Sequence, residues 1–248
     1  MTLDPDWIVP RWEAPPRVHA VITTRAGGFS RGPYASLNLG LRTGDDAAAV
    51  EKNRARLRSV LPQEPQWLRQ VHGNAVIGAD SVSANPPEAD ASVARSTGTV
   101  CAILIADCVP VLLCNRSGSV VAAAHAGWRG VASGIIERTV AAMGAEPDEL
   151  MAYLGPGIGP GAFEVGGEVR EAFLEHSPQD AAAFTPHGPG KWLANLFMLA
   201  RNRLQRAGIR AISGGAMCTY SDPARFFSYR RDRTTGRMAA LIWLEQPR

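Results

Sequence analysis

Lysine is nearly missing from this chain of 248 residues: Lys52 and Lys191 stand against 24 arginines. Alanine is abundant alongside, so the ratio reads as compositional bias rather than as function. Cysteine and histidine are scarce. Four cysteines, Cys101, Cys108, Cys114 and Cys218, are too few to staple a chain of this length, which excludes a disulfide scaffold. Five histidines, His19, His72, His125, His176 and His187, limit what any metal site can be. Long hydrophobic runs are absent. None approaches the ~20 residues of a membrane helix, so no membrane partner is expected. The opening residues, MTLDPDWIVPRWEAPP, carry two Asp and no apolar core. No export signal is read there, and reduced thiols in the cytoplasm are expected.

Charge is also nearly balanced. The formal net charge is +3, yet nine Arg and two Asp fall between Arg201 and Arg237, a local +7. Clustered Arg can neutralise phosphate, as on nucleic acid. Few aromatics, Phe226, Phe227 and Tyr229 among them, are at hand to stack on bases. A solvated face or a site for one small anion is the better reading, with no nucleic-acid partner. No repeat, low-complexity tract or Ser/Gly linker divides the chain, and residues 1–248 read as one domain.

Hydrophobic periodicity predicts short strands over 18–24, 67–71, 75–79, 89–93, 100–105, 109–113, 119–124, 151–154, 209–213, 217–220, 226–229 and 239–244. Helices are predicted over about 46–61, 128–143, 163–173 and 192–207, the first capped by Asp45 or Asp46. Residues 27–44 are turn-rich. Strands outnumber helices and do not alternate strictly with them, which disfavours a doubly wound fold. The expected class is α+β, a compact layered fold with mixed β-sheets flanked by helices.

Two motifs invite enzyme readings that their context weakens. Gly28-Phe29-Ser30-Arg31-Gly32 matches a nucleophile elbow, but the helix that must follow is replaced by Pro33-Tyr34-Ala35-Ser36. The Gly155-Pro156-Gly157-Ile158-Gly159-Pro160-Gly161 loop precedes a predicted helix, as phosphate loops do. Its two prolines remove amide donors, so a rigid turn beside a site is expected.

The stronger signal is a set of three segments. Gln70-Val71-His72-Gly73-Asn74, Ala106-Asp107-Cys108-Val109-Pro110 and His125-Ala126-Gly127-Trp128-Arg129-Gly130 each put a metal-binding or nucleophilic side chain at the end of an apolar strand. Seventeen residues separate Cys108 from His125, which suits adjacent strands joined through a turn at 115–118. Two chemistries fit. Two imidazoles and a thiolate can hold Zn²⁺ and leave a fourth position open. Alternatively, Cys108 is a nucleophile and His125 its base. A lone Cys or His is more often a core residue, and Cys101 and Cys114 read that way. The H-x-E…P-C-x-x-C deaminase signature is absent, as is any C-x-x-C.

The chain resembles the laccase-domain (YfiH-like) family, also called purine nucleoside phosphorylase or polyphenol oxidase family proteins. The match runs over nearly the whole chain. It includes Thr23-Thr24-Arg25-x-Gly27-Gly28-x-Ser30, Ser36-Leu37-Asn38-Leu39-Gly40, Asn53-Arg54, Gln70-Val71-His72-Gly73 and Ala89-Asp90-Ala91. It continues through Ala106-Asp107-Cys108-x-Pro110, His125-Ala126-Gly127-Trp128-Arg129-Gly130 and Phe227-Ser228-Tyr229-Arg230-Arg231-Asp232.

The resemblance implies one zinc per chain on His72, Cys108 and His125. It implies phosphorolysis of adenosine, inosine and methylthioadenosine to base and ribose 1-phosphate, and deamination of adenosine. Purine nucleosides and phosphate are then the partners. Cys108, His125 and Asp107 are the catalytic candidates, Asp107 as proton carrier. Arg25, Arg54, Arg129 and Arg230 are candidate phosphate contacts. Ser30, Asn38 and Gln70 complete the substrate-binding set. The fold would be distantly similar to a toxin deamidase that uses a Cys–His pair. Alternatives are a Cys–His amidase editing a peptidoglycan precursor, a copper-dependent polyphenol oxidase, and a non-catalytic binding protein. A multicopper centre needs a histidine cluster this sequence lacks, although copper could occupy a Cys/His₂ site.

Overall fold

A computed structural model describes residues 4–81 and 85–246; Met1, Thr2 and Leu3 of the opening stretch lie outside the described residues. In chain order the strands are β1 (Val18–Ile22), β2 (Val76–Gly78), β3 (Ala91–Ala94), β4 (Cys101–Ile105), β5 (Val109–Asn115), β6 (Val121–Ala126), β7 (Leu150–Leu154), β8 (Glu164–Gly166), β9 (Phe184–Pro186), β10 (Lys191–Ala194), β11 (Ala211–Gly214) and β12 (Met238–Leu244). The α-helices are α1 (Ala47–Arg58), α2 (Trp128–Ala132), α3 (Ile135–Met143), α4 (Gly167–Leu174), α5 (Leu196–Arg206) and α6 (Tyr229–Asp232).

The strands make three sheets, ordered β1-β12-β4, β8-β10-β9 and β11-β7-β5-β6-β3-β2. The six-stranded sheet is mixed. Its outer pairs β11–β7 and β2–β3 are parallel and its inner pairs antiparallel. Period-two alternation sends the two faces of each strand into different cores. On β5, Leu112 and Cys114 pack toward the β1-β12-β4 sheet, while Val111 and Leu113 pack under α3, α4 and α5. On the β1-β12-β4 sheet, Ile103 and Ile242 face inward, and Ala102 and Leu241 face out onto Leu57 of α1 and onto Leu37 and Leu39 of the turn-rich 27–44 segment. The result is a layered α+β fold. Among the described residues no helix is long and apolar enough to cross a membrane.

Asp46 caps α1 by accepting from the Ala48 amide at 3.0 Å. The other predicted helices are revised. The 128–143 segment is two helices, because Gly134 sits at φ 90, a left-handed conformation that a continuous right-handed helix does not contain. The 163–173 segment opens as β8 before α4. The 192–207 segment opens as β10, which pairs with both β8 and β9, and α5 starts only after Asn195 caps it through the Met198 amide. The 67–71 and 217–220 segments make isolated bridges rather than strands. The 226–229 segment enters α6: Phe226 and Phe227 are apolar because they fill the core between the sheets. Much of the basic stretch is tied inside the protein. Arg203 and Arg206 pair with Glu137 and Asp180, Arg201 donates to the Ile212 and Gly214 carbonyls, and Arg231 pairs with Asp232.

Candidate metal centre

Strands β5 and β6 form an antiparallel hairpin in which Pro110 is opposite His125. Cys108, two residues before Pro110, therefore arrives at the same end as His125. The convergence comes from one hairpin, not from the carboxyl edge of parallel strands. His72 is supplied by the loop leading to β2, where it holds φ 62. The ligand atoms of His72, Cys108 and His125 lie within 4.8 Å of one another. The two imidazoles meet edge to face, 4.8 Å between centroids. His125 is buried, Cys108 half-buried and His72 exposed, so the group is closed beneath and open at the His72 side.

One carboxylate organises this group. Asp90 is fully buried just before β3. Its Oδ1 accepts from the His72 amide at 3.0 Å and faces His125 Nδ1 at 2.8 Å; its Oδ2 accepts from the Val71 and Gly73 amides at 3.1 and 2.8 Å. With Nδ1 donating to Asp90, Nε2 of His125 is left for the cluster, the usual arrangement behind a metal-bound imidazole. Burial works against the Asp90 charge, yet the hydrogen bonds and His125 hold its pKa below the ordinary carboxylate value. Sequence reasoning gave Asp90 no role. The available signal was a lone acid between alanines at the edge of an apolar strand.

The pocket is also shaped by a missing side chain. A Cβ on Gly127 would lie 2.8 Å from Cys108 Sγ and 3.2 Å from His72 Cδ2. Burial alone would raise the Cys108 thiol, but the facing imidazoles of His125 and His72 bring it down to about 6. Burial would likewise lower His125, while Cys108 and Asp90 raise it to about 9. The thiolate form of Cys108 and the imidazolium form of His125 thus favour each other. Two imidazoles and a thiolate facing one another fit a divalent metal with nitrogen and sulfur ligands, zinc or copper by donor type. No second such group occurs among the described residues. Cys101 and Cys114 are core thiols, pushed up to about 12 by burial.

The remaining candidates are placed unevenly. Asp107 is buried at φ 111, and its carboxylate accepts from Thr219 Oγ1 at 2.7 Å and the Arg230 amide at 2.6 Å. Burial raises its pKa despite those bonds. Ser30 is buried, and its hydroxyl accepts from Asn53 at 2.9 Å, while a short 3₁₀ turn, Gly32–Tyr34, stands where an elbow would need a helix. Asn38 is fully buried, donating to Thr43 and Asp45 and accepting from the Gly40 and Arg237 amides. Gln70 pairs both ends of its amide with the Leu104 backbone. The polar atoms of these three side chains are thus spent on the scaffold.

Three of the four candidate arginines are similarly engaged. Arg25 donates to the Ala35 and Pro223 carbonyls, Arg54 to the Leu39 carbonyl while lying over Trp67, and Arg230 to the Glu164 carbonyl over Phe163. Arg129 is exposed and stacked on Trp128 at 4.4 Å, its guanidinium without a hydrogen bond among the described residues. The glycine-proline loop spends its amides internally, Gly155 on the Pro110 carbonyl, Ile158 on that of Asp107 and Gly159 on Cys218 Sγ. It is the expected rigid turn. Arg237, outside every motif read from the sequence, stands beside the start of β12, one residue before the Met238–Ile105 pairing.

Known proteins share this architecture. The family described as multi-copper polyphenol oxidoreductase laccase matches residues 19–245. A Pseudomonas aeruginosa protein named purine nucleoside phosphorylase is 52% identical over 240 residues, covering 96% of this chain and 98% of that one. The Escherichia coli protein named purine nucleoside phosphorylase YfiH is 53% identical over 239 residues, covering 96% and 98%. A Neisseria meningitidis crystal structure of the DUF152 family superposes with a TM-score of 0.95 at 48% identity, covering 97% of this chain and 100% of that one. On this match, spanning nearly the whole chain, the protein belongs to the multi-copper polyphenol oxidoreductase laccase family, the family of YfiH.

Proposed function

We propose that this protein is a zinc-dependent purine nucleoside enzyme of the cytoplasm. It splits adenosine, inosine and methylthioadenosine with phosphate, and it deaminates adenosine with water. The observation that carries the reading is the open His72–Cys108–His125 group, in a chain about half identical to proteins named purine nucleoside phosphorylase. In phosphorolysis a phosphate oxygen bonds to ribose C1′ as the bond from C1′ to the base nitrogen breaks. The base keeps the electron pair and takes a proton. In deamination a water oxygen bonds to purine C6 and ammonia leaves. Lewis acidity, and a water of pKa ~7, are what zinc supplies when bound. The chain's own residues do the rest. Asp90 fixes the His125 ring and the His72 loop, Gly127 leaves room beside Cys108, and Asp107, its pKa raised, is the proton carrier next to Cys108.

A second reading has its own support. A thiolate–imidazolium pair with a carboxylate behind the imidazole is also the layout of nucleophile, base and orienting group. It would hydrolyse an amide in a cell-wall precursor without metal. One experiment separates the two. Zinc-loaded protein with adenosine and phosphate should yield adenine, ribose 1-phosphate and inosine by chromatography. Cys108→Ala should lose the bound zinc, about one per chain, together with all three products. A wild type that releases none of them overturns the proposal. Amide hydrolysis that survives strict metal removal establishes the second reading.

A further inference from the structure

Arg237 is held in an unusual way. Its amide donates to Asn38 Oδ1 at 2.8 Å, which ties it to the turn-rich 27–44 loop. A Cβ on Gly40 would meet its Cγ at 2.9 Å, so the side chain leaves through a slot that only glycine provides. Its Nη1 donates to the Thr235 and Gly236 carbonyls at 3.0 and 2.9 Å, and its guanidinium lies 5.9 Å from the Tyr229 ring centre. The described residues give Nε and Nη2 no hydrogen-bond partner. A guanidinium fixed on one edge by its own backbone and free on the other is prearranged for a bidentate anion.

The fold aims this cation at the metal centre. Met238 pairs with Ile105 across β12 and β4, so Arg237 stands opposite the turn that carries Asp107 and Cys108. Both of those residues act electrostatically on Arg237, opposing the effect of its burial. Of the four arginines singled out from sequence, Arg230 also reaches this turn, its amide donating to Asp107 at 2.6 Å, but none has its guanidinium fixed by its own adjoining backbone. Three of them spend guanidinium donors on main-chain carbonyls of other segments, and Arg129 is stacked on Trp128.

We infer that Arg237 binds the attacking inorganic phosphate of the proposed phosphorolysis, holding two of its oxygens beside the His72–Cys108–His125 group. This rests on the phosphorolytic reading for the identity of the anion, but not for the existence of the anion site.

Titration calorimetry of inorganic phosphate into wild type, Arg237→Gln, Arg237→Lys and the surface control Arg138→Gln tests it, with metal-free and zinc-loaded protein. Arg237→Gln should weaken phosphate binding at least tenfold in both metal forms, as loss of a bidentate charge-assisted pair would. Arg237→Lys should weaken it at least threefold, and the control should stay within twofold. In steady state with adenosine, Arg237→Gln should raise the phosphate KM at least tenfold while the adenosine KM stays within twofold. Unchanged phosphate affinity in the Arg237 variants overturns the inference, as does binding seen only with zinc and indifferent to Arg237. If Arg237→Gln does not fold, the lysine variant decides by the same measure. Adenosine 5′-monophosphate binding through Arg237 tenfold more tightly than inorganic phosphate would also overturn it, because the site would then serve a nucleotide. A wild type that binds phosphate through Arg237 but cleaves no nucleoside keeps the anion site and removes the phosphorolytic reading.

Discussion

Replacing Asp90 by Asn tests the organisation of the centre most directly. The carboxylate serves four groups at once, three loop amides and His125 Nδ1, at 2.8–3.1 Å. An amide can accept on one side only. If its oxygen keeps the His72 amide and His125 Nδ1, its NH₂ is turned onto the Val71 and Gly73 amides, donor against donor. Two stranded buried amides at about 1–3 kcal/mol each predict a loss of about 2–6 kcal/mol in the metal-free protein. If the amide turns over instead, its NH₂ meets His125 Nδ1, which must become an acceptor. The ring proton then moves to Nε2, the nitrogen left for metal, and zinc affinity falls ~10–100-fold. Urea unfolding of metal-free protein and chelator competition for zinc read the two outcomes. Acid adds a signature. Because Asp90 is held below its ordinary value, its stabilisation is complete above pH about 4 and is lost as pH falls below that. The stability gap between wild type and variant should therefore close in acid. An Asn variant matching wild type in both assays at neutral pH would refute the reasoning.

Three further outcomes are expected. Gly127→Ala should lower zinc affinity at least tenfold by chelator competition, since its Cβ would sit 2.8 Å from Cys108 Sγ, while the backbone at φ −73 accepts alanine without strain. Metal affinity should fall about tenfold per unit as pH drops from about 9 to about 6, because metal must displace the His125 proton, and more steeply below about 6, as protons also compete for the Cys108 thiolate; a flat profile from pH 9 to 5 would contradict the ligand assignment. Leu112→Ala, fully buried between the two larger sheets, should cost about 2–5 kcal/mol in urea unfolding and leave the zinc stoichiometry unchanged.

Some of this was legible in the sequence and some was not, for identifiable reasons. Short apolar runs located nearly every strand of the two larger sheets, because buried strands need little besides β-branched and small residues. The three candidate ligand positions were readable because each ends such a run beside glycine, asparagine or proline. Helix ends were harder. The apolar spacing of 128–143 passes smoothly through Gly134, and only its left-handed backbone shows that two helices meet there. Trp192 and Leu193 fit the helical spacing that follows them, yet β8 and β9 claim them for a sheet. Asp90 lies in the Ala89-Asp90-Ala91 motif of the resemblance with no role read from it, and Arg237 lies in no motif. What distinguishes them is what the chain brings to them, three amides and an imidazole in one case and the Asn38 loop in the other.

The three-residue strand β2 lies at the rim of the six-stranded sheet and pairs only with β3. The loop before it holds His72, so an ion bound by all three ligands would fasten this rim to the central hairpin. A ligand that binds only the closed arrangement stabilises it by about 4 kcal/mol at a thousand times its dissociation constant. Metal would thus be a clasp as well as a reagent. Amide hydrogen exchange across Val76–Gly78 would then report how much of the protein is loaded, with no substrate present.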